Sequence, residues 1–228
     1  MSSEPASLEE QRVRAAEASG GTSCDAVYQS IEEVIGAGNL AGHVLDYGAG
    51  VGELTKRLEG LHRFESITGA DIMARPPELP KTINWLAMDL NNPLPVAAGT
   101  YDVAIATEVI EHLENPRQVT RELYRVLKPG GTVILTTPNN ESWRSLIALV
   151  VRGHYVLFDD SCYPAHITAL LRKDFQRILT EAGFSSIQFR FTNLGGIPGH
   201  PTVSWQRISA GLLKGLRFSD NILVVAVK

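Results

Sequence analysis

In the stretch VLDYGAGVGELTKRL, residues 44–58, three glycines, Gly48, Gly50 and Gly52, stand between a short apolar run and the start of a helical pattern. A glycine loop in that position lets a ligand come close to the backbone and presents it with a helix N-terminus. Carboxylates flank the loop, Asp46 before it and Glu53 after it. A phosphate loop would close on a lysine, and Glu53-Leu54-Thr55 offers none. A dinucleotide calls for G-x-G-x-x-G spacing, and here the third glycine comes one position early. The acids would also oppose its pyrophosphate: two unit charges about 4 Å apart interact with roughly 4 kcal/mol at an effective dielectric near 20. A ligand that carries positive charge reverses that sign. Further on, Asp71 and Asp89 are isolated carboxylates, Glu108-x-x-Glu111-His112 joins two acids to an imidazole, and His166 supplies a second imidazole. Carboxylates suit hydroxyl and amino donors, and imidazoles suit removal of a proton from a weak nucleophile.

Such residues need elements to bring them together. HVLDYG (43–48), SITGAD (66–71), INWLAMD (83–89), YDVAIAT (101–107) and GTVILTTP (131–138) are short apolar runs, several of them apolar at consecutive positions. That pattern predicts strands buried on both faces, with helices between them, as in a parallel α/β sheet. Asn115 and Pro116 open one helix, with Val119, Leu123, Val126 and Leu127 as its inner stripe and Lys128-Pro129-Gly130-Gly131 as its stop. A helix over 172–182 and strands over 185–191 and 221–227 complete the frame. Residues 1–22 read as a mobile arm, helical from Leu8 to Ala18 and ended by Gly20-Gly21, ahead of a single domain over 23–228. Two long connections, about 139–171 and 192–220, leave from the carboxyl ends of strands and, with the N-terminal arm, predict a lid over that edge. The second holds an amphipathic segment marked by Trp205, Ile208, Leu212 and Leu216.

Bulk composition narrows the function classes. The 228 residues carry a formal charge of −4 and no basic run, so a nucleic-acid partner is not expected. Two cysteines, Cys24 and Cys162, make neither a disulfide framework nor a metal set. No apolar stretch is long enough to span a bilayer, and the first residues lack a signal-peptide pattern, so the expected setting is cytoplasmic.

S-adenosylmethionine meets the glycine and acid requirements together, with a sulfonium, an ammonium and an adenosine that must lie against the backbone. Asp71, at the end of the second strand, stands where a carboxylate takes both ribose hydroxyls, and Asp89, at the end of the third, where one accepts from an adenine amino group. At this point the sequence resembles the class I S-adenosylmethionine-dependent methyltransferases. LDYGAGVGELT looks like their first motif, GADIM their second, AMDLNNPLP their third, YDVAIATEVIEHLENP their fourth and LKPGGTVILTTPN the next, covering about residues 24–140. The resemblance implies a Rossmann-like, doubly wound seven-stranded sheet of order 3-2-1-4-5-7-6 with the seventh strand antiparallel. It also implies cofactor contacts from Asp46, Tyr47, Gly48, Ala49, Gly50, Gly52, Asp71, Ile72, Asp89 and Leu90, with Thr107 and Glu108 at the methionine end. S-adenosylhomocysteine would be the product.

The tail from Pro138 to Phe184 is similar to methyltransferases of bacterial polysaccharide and natural-product pathways, with Ala165 where a glycine is common. The acceptor expected is a small molecule, foremost a hydroxyl of a sugar or metabolite, with quinone-pathway phenols next. No [DNS]-P-P-[YF] motif and no Pro-Cys follow the fourth strand, which disfavours adenine and cytosine methylation. His166 and His112 are the candidate bases, with Glu111 beside them, and packing is the alternative role for either histidine. On a helix, Glu108, Glu111 and His112 would share one face and with His166 could hold a divalent metal, as in small-RNA 2′-O-methyltransferases. The reading adopted carries no metal, and a monomer or homodimer is expected. The rivals are that metal-assisted enzyme, a module that binds the cofactor without chemistry, and a dinucleotide oxidoreductase.

Overall fold

A computed structural model describes residues 6–228. Helices α1 (Leu8–Ser19) and α2 (Asp25–Ala37) lead into β1 (Gly42–Tyr47), α3 (Glu53–Gly60), β2 (Phe64–Asp71), β3 (Asn84–Ala87) and β4 (Tyr101–Thr107). A 3-10 turn at Ile110–His112 precedes α4 (Pro116–Val126) and β5 (Leu127–Pro138), then α5 (Trp143–Arg152), α6 (Arg172–Ala182) and β6 (Ser185–Phe191). A small hairpin of β7 (Gly196–Ile197) and β8 (His200–Ser204), a single turn α7 (Trp205–Ile208) and β9 (Asn221–Val227) complete the chain.

The main sheet runs β3-β2-β1-β4-β5-β9-β6. All neighbours are parallel except β9, which is antiparallel to β5 and to β6. Counting only its seven members, this is the order and the one reversed strand that the resemblance implied. Successive residues of a strand face opposite sides, and here both sides are buried. Val44, Val103, Ile134 and Leu223 pack with Val27, Ile31 and Leu58 of α2 and α3. Their neighbours Leu45, Ala104, Leu135 and Val224 pack with Leu123 of α4 and with Phe175 and Leu179 of α6. Asn115 caps α4 by accepting from the Gln118 N–H, with Pro116 in the first turn.

The two long connections fold onto the carboxyl edge through polar anchors. The buried Asn139 side chain donates to the carbonyls of Leu216 and Ser219, and that of Asn140 to Leu170. The Ile167 and Thr168 amides both donate to the Glu111 carbonyl. The amphipathic segment at 205–216 is not one helix: α7 is a single turn, because Gln206 reaches the carbonyls of Leu213 and Phe218 and folds the chain back.

The arm also differs from the expectation of a mobile segment. Residues 1–5 lie outside those described. The rest forms α1 under a Ser7–Glu10 capping box, and it lies on the domain: Arg12 bonds Asp89 and Glu114, and the Gly21 carbonyl accepts from the Val51 amide. The two acids on the body draw this arginine in, although no α1 side chain is buried. Removal of residues 1–22 should therefore leave a cooperative thermal transition with a midpoint close to that of the full chain. A truncated protein that melts without a transition would refute this.

Candidate functional site

The carboxyl ends of the parallel strands open onto a cavity of 1070 Å³. Pockets for one small ligand run from about 300 to about 1,000 Å³, so this one stands at the top of that range. At one end, the Gly48 and Ala49 amides bond the Ala70 carbonyl at 2.8 and 3.1 Å, which folds the glycine loop over the tip of β2. Asp71 fastens it there, accepting from the Gly50 amide at 2.8 Å and from the Met73 amide at 2.9 Å. Gly48 has φ +82, and a Cβ on it would stand 2.0 Å from Val109. Gly50 is required for another reason: its Cβ would meet the Gly21 carbonyl at 2.2 Å.

Asp46 is almost fully buried, accepts from the Thr55 hydroxyl at 2.6 Å, and lines the cavity. Burial pushes its carboxyl up to about 7, outweighing that hydrogen bond. Burial raises Asp71 as well, against the amides that hold it. Asp89 goes the other way. Burial pushes it up, but the Asn91 amide and side chain together with Arg12 hold it below the usual carboxylate range.

Most of the residues expected to contact the cofactor do line the cavity: Asp46, Gly48, Ala49, Gly50, Asp71, Ile72, Asp89 and Leu90, with Thr107 and Glu108. Three expectations need correction. Tyr47 points into the core, fully buried, with its hydroxyl donating to the Leu90 carbonyl, because adjacent strand residues face opposite sides and Asp46 has the cavity side. Gly52 is the N-cap of α3 at φ +80, off the cavity wall, where a Cβ would strike Leu79 at 2.9 Å. Asp89 does not close β3, which ends at Ala87, but sits in the following turn. Glu53, read as a charge flanking the loop, pairs instead with Arg57 at 3.2 Å and is off the wall.

At the far end the chain leaves β4 through Glu108, a non-glycine residue at φ +53. Its amide donates to the carbonyl and hydroxyl of Thr136, and its Oε2 accepts from Asn221 at 3.0 Å. Glu108 therefore does not share a helical face with Glu111 and His112; only Ile110–His112 make a turn. Glu111 is completely buried behind the wall, its Oε2 accepting from Thr137 at 3.2 Å. Burial raises Glu108 to about 7, and burial with the neighbouring Glu108 charge raises Glu111 well above its usual range. Glu108 Oε1, Glu111 Oε1, Thr107 Oγ1 and His166 Nδ1 are buried without a protein partner.

His112 and His166 reach the cavity and meet edge to face, ring centres 4.8 Å apart. His112 Nδ1 lies 2.8 Å from the Ala165 carbonyl, an acceptor, which assigns the proton to Nδ1 and leaves the Nε2 lone pair free. Desolvation lowers both imidazoles, so both are neutral at pH 7. One ligand atom from each of Glu111, His112 and His166 lies within 4.8 Å of the others, a set able to hold a metal ion. Arg12, Arg144, Asp220 and Asn221 also line the cavity and escaped the sequence reading. The last two had a signal: an antiparallel final strand must begin at the edge where the parallel strands end.

The Asp46 value carries a sign. A carboxyl whose folded value is raised stabilises the fold while protonated and loses that contribution as pH rises through it. Asp46→Asn removes this loss, so its stability relative to the unmodified chain should improve by at least about 1.4 kcal/mol between pH 5 and pH 8. Denaturant unfolding of both proteins at the two pH values measures it, and a difference independent of pH would show Asp46 titrating normally.

The architecture has close counterparts among solved structures. A S-adenosylmethionine-dependent methyltransferase from Archaeoglobus fulgidus superposes with a TM-score of 0.64 at 21% identity, over 93% of this chain and 97% of that one. A Haloferax volcanii methyltransferase solved with the Trm112 methyltransferase activator gives 0.66 at 18% identity, over 97% and 99%. In sequence, a ubiquinone biosynthesis O-methyltransferase of Cronobacter sakazakii is 33% identical over 130 residues, 53% of this chain and 52% of that protein. The chain thus spans about half the length of the curated relatives it matches. The family model described as a methyltransferase domain matches residues 23–188, which takes in the glycine loop, Asp71, Asp89 and both cavity histidines. With that match added to the sheet order and the acid-lined loop, the chain belongs to the methyltransferase domain family.

Proposed function

We propose that this protein transfers the methyl group of S-adenosylmethionine to a hydroxyl of a small-molecule acceptor, with a phenol or a sugar as the acceptor class. The observation that carries the reading is one cavity with a buried acid and a glycine loop at one end and two imidazoles, ring centres 4.8 Å apart, at the other. The cofactor's fit follows from the charges. Asp46, Asp71 and Glu108 stand on the wall without a lysine or arginine bonded to them, a donor set suited to an ammonium, a sulfonium and ribose hydroxyls. Asp46 and Glu108 would hold the cationic end and Asp71 the ribose. When bound, the cofactor supplies an electrophilic methyl group on a sulfonium.

The chain's own part is to orient the acceptor and to accept its proton. A neutral imidazole beside a hydroxyl takes that proton as the oxygen becomes nucleophilic, an effect worth about 10²–10⁴-fold in rate. His112 is held for this by the Ala165 carbonyl, and His166 stands against it. The buried Glu111 carboxyl stands within 4.8 Å of both imidazoles and would help to position them. A similar family name belongs to relatives that act in ubiquinone biosynthesis, which supports a phenolic hydroxyl. A second reading, in which Glu111, His112 and His166 hold a divalent cation that activates the hydroxyl, is favoured by their convergence and by the two unpartnered atoms among them.

Asp71→Ala should weaken S-adenosylhomocysteine binding about 100-fold or more in a calorimetric titration, because it removes two charge-assisted bonds worth roughly 1.5–3 kcal/mol each. Unchanged affinity in a folded variant, or no response of the unmodified protein to the ligand, would sink the cofactor assignment. His166→Ala should lower kcat on a phenolic or sugar acceptor about 10²–10⁴-fold with cofactor Kd unchanged. Under the base reading, exhaustive chelation leaves turnover intact. Under the metal reading, chelation abolishes turnover, and Mn²⁺ or Zn²⁺ restores it and raises the Tm of the chelated protein.

A further inference from the structure

We infer that residues 8–21 form a hinged roof over the cofactor end of the cavity, latched by Arg12, so that cofactor enters and leaves only when Arg12 lets go of Asp89 and Glu114. The inference rests on the cofactor reading above. α1 lines the cavity along its length: Leu8, Gln11, Arg12 and Ala15 at helical spacing, then the whole last turn from Ala16 to Ser19. The roof is fastened at both ends. At one end the Gly21 carbonyl accepts from the Val51 amide at 3.1 Å, so close to the loop that Gly50 has no room for a Cβ.

At the other end the Arg12 guanidinium bridges two acids. Its Nε and Nη2 grip the Glu114 carboxylate at 2.9 and 2.8 Å, fork on fork, and its Nη1 donates to Asp89 Oδ2 at 2.5 Å. Asp89 has no capacity left with the latch shut. Its Oδ1 accepts from the Asn91 amide and side chain at 2.9 Å each, and Oδ2 also accepts from Asn92 at 3.3 Å.

Little apolar surface opposes opening of the roof, since no side chain of α1 is fully buried and only Val13, Ala15 and Ala16 among its apolar residues are half-buried. The hinge is also in place. Gly20 turns at φ +73, yet a Cβ there would meet nothing within 4 Å, so its backbone freedom and not its size is what the position uses. With side-chain exposures of 20% for Arg12, 17% for Asp89 and 48% for Glu114, the Glu114 side of the latch is open to solvent and screened by salt, and the covered Asp89 side is screened less.

A gate has a kinetic signature that a ligand contact lacks. In stopped-flow binding of S-adenosylhomocysteine to the full chain, Arg12→Ala should raise the association and dissociation rates together, each about tenfold or more, with little change in Kd. High salt should do the same to the unmodified protein and little to the variant, and Glu114→Gln should give a smaller effect in the same direction. A rise in dissociation alone would make Arg12 a ligand contact and overturn the gate, as would unchanged rates. Hydrogen exchange on the ligand-free protein separates this from the cofactor reading. Arg12→Ala should speed exchange across residues 8–19 about tenfold. Unchanged exchange overturns the latch whatever binds, whereas faster exchange in a protein that ignores S-adenosylhomocysteine sustains the latch and refutes the cofactor.

Discussion

The bond from the Gly50 amide to Asp71 is the interaction on which the rest of the cleft depends. It holds the chain after β1 folded back on β2, so that Asp46, next to last in its strand, faces the cavity and α3 starts beyond it. The loop is then wedged on its other side against the turn after β4, where Val109 would collide with any Cβ on Gly48. That wedge sets how far the glycine end lies from Glu108, Glu111 and His112. One missing side chain thus spaces the two halves of the site, and the positive φ of Gly48 is only half of the reason for a glycine there.

The electrostatics of the wall follow from the same compaction. Asp46, Asp71, Glu108 and Glu111 are all raised, chiefly by burial, and none has a lysine or arginine bonded to it. An isolated buried carboxylate is costly, and holding a proton is how such a group avoids the cost. A cationic ligand offers another way, replacing the proton with a charge partner. The empty fold and the ligand proposed for it therefore compete for the same acids, which makes affinity rise with pH where stability falls.

The frame was legible in the sequence where apolar runs filled consecutive positions. The ranges 101–107, 185–191 and 221–227 coincide with β4, β6 and β9, and 172–182 with α6. Asp71 could be found because it ends such a run. What could not be found depends on contacts between distant parts of the chain. Arg12 meets Asp89 and Glu114 from 77 and 102 positions away, and nothing in the periodicity of residues 8–19 marks it. Glu108 breaks the helical spacing read for Glu108, Glu111 and His112, because two bonds to Thr136 hold it in a left-handed turn. Tyr47 was a different kind of miss: strand alternation alone places it opposite Asp46, and motif resemblance overrode that rule.

The two covers over the cleft are held in different ways, and this bears on how each end works. α1 rests on side-chain bonds at the rim and on one backbone contact, a hold that solvent and salt can loosen. The segment after β5 is tied to the imidazole end by its backbone. The Ile167 and Thr168 amides share the Glu111 carbonyl, and the Ala165 carbonyl fixes His112. Buried Asn139 and Asn140 secure the chain on either side. Any acceptor that shifts residues 165–168 must turn the His112 ring or strain the Glu111 turn, so acceptor fit and imidazole orientation are one variable. The cofactor end can open without disturbing that geometry, because no bond of the latch passes through Glu111, His112 or His166.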